Sequence, residues 1–159
     1  MKRIPMLLLL AAPYIFIAAC AAKGTIAFLT WILLCVLIYL PNMIYAFILP
    51  RMGYGGRQLL FWSLLLKVMN IPVFAMIIFF VLLFNIFVLP MAPFLILFDY
   101  TLLLPSSMYG VSGLIACCRE GKLSKKGLVI NIIMQFTFCL DVFSAVYGYV
   151  KARKKQSVL

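Results

Sequence analysis

Runs of 18 or more apolar residues recur along this chain, and its lysines and arginines stand almost entirely in the short stretches between them. A soluble domain of 159 residues has too little interior to hide that much apolar surface. With 67% hydrophobic and 11% charged residues and a mean hydropathy of +1.21, the chain is expected to be all-α. It reads as one polytopic integral membrane helical bundle over residues 1–159.

A net charge of +11 invites a nucleic-acid reading until the basic residues are located. They cluster at Lys2 and Arg3, at Arg51 and Arg57, from Arg119 to Lys126, and from Lys151 to Lys155, where apolar segments end. Lipid headgroups of the bilayer are the partners this pattern implies, and nucleic acid is not. The chain has no histidine, and Cys20, Cys35, Cys117, Cys118 and Cys139 form no CxxC pair. Neither a metal site nor Cys-His catalysis has its usual parts, and no cofactor is expected.

About five spans are expected, near residues 4–22, 25–49, 71–89, 94–118 and 127–150. The first, with Lys2 and Arg3 ahead of Ile4 to Ala22, also has the three parts of a signal peptide, and Ile17 to Cys20 resembles a lipobox. Four spans remain if it is cleaved. The next hydrophobic segment follows after only Lys23 and Gly24, which favours retention as a span. Pro41 and Asn42 interrupt the second segment, where a proline removes a backbone hydrogen bond that neighbours must replace. The turn from Pro50 to Arg57, with three glycines and two arginines, has phosphate-cradling residue types without P-loop spacing, and is expected to be a plain cytoplasmic turn. Residues 58–89 are too long for one upright span. Either they form a tilted, kinked helix, or 59–70 lies in the interface with Lys67 snorkelling to the headgroups.

Two of the three acidic residues, Asp99 and Asp141, fall inside apolar segments. A carboxylate at the bilayer centre costs about 2.5–3.5 kcal/mol on insertion scales, so each should face protein or a water-filled cavity. Ser106, Gly110 and Gly113 share a stripe with Asp99 at helical spacing. Thr137, Ser144 and Gly148 form a matching stripe with Asp141. Antiparallel packing of these two stripes would bring Asp99 and Asp141 to one site, where the two carboxylates would hold a proton between them. Asn131 and Gln135 lie one turn apart on the same segment, and Asn42, Lys67 and Asn70 come from similar depths, so a polar track is conceivable.

The stretch Tyr109 to Gly113, the turn Gly121 to Lys126 and Leu140-Asp-Val142 resemble the C-terminal helical pair of small uncharacterised polytopic membrane proteins of Gram-positive bacteria. The resemblance covers the last third of the chain. It implies a multi-pass protein of the bacterial plasma membrane, without assigning residues to chemistry.

Basic residues in the loops favour the N-terminus inside, eight against five. Five crossings would then leave the basic C-terminus outside, against the same rule. An inverted orientation or a further crossing would relieve the conflict. For function, the sequence favours a non-catalytic accessory or regulatory subunit of a membrane complex, with a membrane-protein partner or a homo-oligomer. Small residues such as Ala11, Ala18 and Ala22 on one face of the first segment suit it. The alternative is a small-solute or proton-coupled transporter using Asp99 and Asp141, with Asn131 and Gln135 along the path. An enzyme is not expected.

Overall fold

A computed structural model describes residues 3–22, 24–83, 92–121, 123–137 and 140–154. Lys2, Lys23, the end of the expected third span at 84–89, the turn at Pro90 and Met91, Lys122, Cys139 and Lys155 lie outside the described residues. The described residues are helical with no strand, as the apolar runs require.

Helix α1 runs Ile4–Ala22 and α2 Gly24–Leu34. A π-helical turn, Cys35–Tyr39, leads into α3, Leu40–Ile48, and a 3₁₀ turn, Leu49–Met52, follows. Then come α4, Gly56–Leu83, and α5, Ala92–Arg119. Helices α6, Lys125–Gln135, and α7, Leu140–Lys154, complete the chain. Three stretches are long and apolar enough to cross a membrane: Ile26–Met52, Gly56–Phe79 and Leu95–Arg119. Ile4–Cys20 is a shorter apolar helix beside them.

Of the three, Leu95–Arg119 has 72% of its most apolar stretch buried, against 28% in each of the others, so α5 is the axis of the bundle. Its closest neighbour is α4, packed antiparallel. Gly56 lies against Cys117 and Gly113, and the Ser63 hydroxyl donates to the Ser106 carbonyl at 3.0 Å. On its other flank α3 runs parallel to α5. There the Tyr109 hydroxyl donates to Asn42 Oδ1 at 2.7 Å, and the Ser112 hydroxyl to the Ala46 carbonyl at 2.6 Å. By contrast, Phe28, Leu29, Leu33, Leu37 and Ile44 on the α2–α3 segment are exposed, a surface suited to lipid.

Side chains bond to backbone carbonyls near two of the prolines. The π turn sits just ahead of Pro41, and Asn42 Nδ2 donates to the Ile38 carbonyl at 2.9 Å within that disturbed stretch. Near Pro72, the Tyr14 hydroxyl of α1 donates to the Met69 carbonyl at 2.7 Å. Helix α4 therefore continues through Pro72, and residues 59–70 belong to it instead of forming a separate interfacial helix.

A second correction concerns residues 127–150, expected as one span. They form two helices, and Ser144 Oγ donates to the Asn131 carbonyl at 3.0 Å and lies 3.1 Å from Asn131 Oδ1. In one straight helix these residues would stand about 20 Å apart. The segment instead doubles back as an antiparallel hairpin. Ser124 caps its first helix, accepting from the Gly127 amide at 3.2 Å.

Close approach of α4 and α5 depends on Gly56. A Cβ there would fall 2.7 Å from the Cys117 amide nitrogen and 2.9 Å from the Gly113 carbonyl oxygen. Backbone atoms cannot rotate away as a side-chain end can. Gly56→Ala should therefore cost about 1–3 kcal/mol of stability, read as a lowered unfolding midpoint in detergent.

Candidate functional site

The hairpin ends halfway along α4 and α5, where it meets Lys67. In a continuous helix Gln135 and Asp141, six residues apart, would point about 120° from each other. Because the chain turns between them, both reach the same ammonium group. Lys67 Nζ lies 3.2 Å from Asp141 Oδ2, donates to the Asp141 carbonyl at 3.2 Å, and donates to Gln135 Oε1. Its three donors thus have three acceptors. Lys67 is 3% exposed, Asp141 6% and Gln135 fully buried. The snorkelling expected of Lys67 does not occur, because an opposite charge lies within reach inside the bundle.

Other polar groups beside the tip are tied back into the helices. The Ser107 hydroxyl of α5 donates to the Gln135 carbonyl at 2.8 Å, satisfying an acceptor that the end of α6 leaves open. Gln135 Nε2 donates to Ser144 Oγ at 3.4 Å, and Asn131 Nδ2 to the Gly127 carbonyl at 2.7 Å. Gly110 makes room for the glutamine: a Cβ at that position would fall 2.6 Å from Gln135 Oε1. A cavity of about 250 Å³ adjoins the tip. Lys67, Asn70, Ser106 and Asp141 contribute to its wall, and Ile71, Phe74, Leu103 and Val142 are among its apolar lining.

Three of the four expected polar-site residues therefore meet: Asp141, Asn131 and Gln135. Asp99 does not pair with Asp141, whose carboxylate is bound to Lys67, because an ammonium offsets a buried carboxylate where a second carboxylate repels it. Asp99 is partly buried, and its Oδ1 has no hydrogen-bond partner among the described residues. Of the expected packing stripe, Ser106, Gly110, Gly113, Ser144 and Gly148 are buried. Thr137 is exposed, in the link between α6 and α7, with its hydroxyl on the Ile133 carbonyl at 3.2 Å. Asn42 joins Tyr109 on the other flank of α5. Lys67 as the counter-ion was the missed residue, although the sequence carries a signal for it: opposite charges stranded in two apolar runs each need a partner.

No protein-family model, curated protein or solved structure matches the chain.

Proposed function

We propose that the chain is a multi-pass protein of the bacterial plasma membrane that lets protons or a small solute permeate, with the hairpin tip as its site. Four crossings, by α1, by the α2–α3 segment, by α4 and by α5, would frame a re-entrant hairpin of α6 and α7. The observation that carries this reading is the Lys67–Asp141 ion pair, held on the hairpin tip against a cavity. A turn of non-helical backbone at mid-membrane depth is tolerated where protein or a watered cavity surrounds it, and such broken helices recur at transport sites.

Size narrows the cargo. The space measures about 250 Å³, and its accessible wall is mostly apolar. That volume lies below the roughly 300–1,000 Å³ of drug-sized ligand sites. Small neutral solutes fit that space, and the ion pair stands in its wall.

The test is flux in proteoliposomes. The wild type should collapse an imposed pH gradient, or shrink and reswell with a small solute such as glycerol, faster than empty vesicles. Lys67→Met with Asp141→Leu should fold and lose that flux. Equal leak from wild-type, double-variant and empty vesicles would end the permeation reading. The accessory-subunit reading would then lead, supported by Ala11 and Ala18, which face outward from α1 as a small-residue surface. Its check is a stoichiometric partner retained through purification in mild detergent.

A further inference from the structure

At the opposite end of α4 from the apolar Leu83, the chain brings together a second cavity of about 870 Å³. Its walls come from sequence-distant places. Arg3 precedes α1, Met52 to Gly55 lead into α4, Arg57 and Gln58 lie in its first turn, Glu120 follows α5, and Tyr149 lies on α7. Arg3, the turn and Glu120 stand at ends of α1, α4 and α5, which for the proposed crossings is headgroup depth. Phe61 and Trp62 line the cavity one to two turns further along α4, on the side towards the apolar interior.

The charge arrangement selects among headgroups. Arg3, Arg57 and Glu120 line the cavity together, and the Glu120 carboxylate accepts from the Gly56 amide at the start of α4 at 3.0 Å. The helix N-terminus thus offsets part of its charge. Two guanidinium groups and one carboxylate thus stand in the same wall. Arg57 is steadied over the Tyr149 ring, its guanidinium carbon 5.9 Å from the ring centroid, with the planar fork that suits phosphate oxygens. Tyr54 and Tyr149 put phenol groups, amphipathic at this depth, on the same walls.

We propose that this cavity binds the monoanionic phosphodiester of an acidic phospholipid such as phosphatidylglycerol. Arg3 and Arg57 hold the phosphate, and Phe61 and Trp62 meet the start of the acyl chains. A free phosphate shares the arginine chemistry but has no use for the aromatic floor. The Pro50 to Arg57 turn is then more than a connector: its glycines let the chain fold tightly beside the phosphate. Gly53, at φ 89°, occupies a left-handed conformation that glycine adopts without strain. The inference is independent of any flux through the hairpin site.

Native mass spectrometry of the full chain, released from detergent micelles doped with equal phosphatidylglycerol and phosphatidylcholine, tests it. The wild type should carry one phosphatidylglycerol in preference to phosphatidylcholine, and excess inorganic phosphate should not displace it. A charge-assisted hydrogen bond to phosphate accounts for roughly a tenfold change in occupancy, so Arg3→Gln and Arg57→Gln should each lower the adduct by about that factor. Lys126→Gln, which removes an exposed charge outside the cavity, should leave it in place. Arg3 is exposed, so its variant keeps the fold and the comparison stands even where Arg57→Gln disturbs α4. Equal adducts of the two lipids, an unchanged adduct in Arg3→Gln, or displacement by inorganic phosphate would each overturn the proposal.

Discussion

Lys67→Met should lower the stability of the folded chain by about 3–5 kcal/mol, because it leaves the Asp141 carboxylate buried without its counter-ion. Gln135 would lose its donor at the same time, and the hairpin tip would be the first part to open. Asp141→Leu alone should fare about as badly, since it strands the ammonium. Combining Lys67→Met with Asp141→Leu removes both charges and replaces them by apolar groups. The double variant should recover most or all of the loss, because a buried ion pair repays little beyond its own desolvation. Unfolding midpoints of the four proteins in a mild detergent complete this double-mutant cycle. Single variants as stable as the wild type would mean that Lys67 and Asp141 are not held together. The cycle also separates structure from function: a double variant that is stable and silent in flux assigns the charges to permeation rather than to holding the hairpin.

The helical class and the basic junctions were legible in the sequence because they rest on composition and on apolar runs, which bury or expose whole segments. The fold-back between α6 and α7 was not. Gln135-Phe-Thr-Phe-Cys-Leu-Asp141 carries no glycine or proline to mark an interruption. The reversal is driven from outside the segment, by a lysine 68 residues away from Gln135 that two polar side chains converge on, and by Ser107 taking up the carbonyl at the helix end. Local propensity holds no record of such contacts. Helical spacing was informative where a residue's face matters: Ser106, Gly110 and Gly113 do lie buried along α5. It failed at Thr137, since periodicity carried across a break assigns the wrong face. The same assumption of an unbroken helix set Asp141 opposite Asp99, and the hairpin gives it Lys67 instead.

Tags on the two termini should report from the same side of the membrane. A re-entrant hairpin returns Tyr149 to the end of the bundle where Arg3, residues 52–58 and Glu120 already meet. With α1, the α2–α3 segment, α4 and α5 as the only crossings, the basic residues of both termini and of the two turns lie together. That makes twelve against the single Lys23, with Lys67 internal, where five crossings gave eight against five. Apart from Lys23 that distribution would obey the positive-inside rule, with both ends in the cytoplasm. A green fluorescent protein fused after Leu159 should be fluorescent and alkaline phosphatase fused there inactive. A cysteine placed at Thr25 should react with an impermeant thiol reagent added outside intact cells. Active phosphatase at the C-terminus would restore a fifth crossing, and would remove the mid-membrane turn on which the permeation reading depends. The topology experiment therefore comes before any search for a substrate: it asks whether the Lys67–Asp141 pair lies at the tip of a re-entrant hairpin or along the side of a spanning helix.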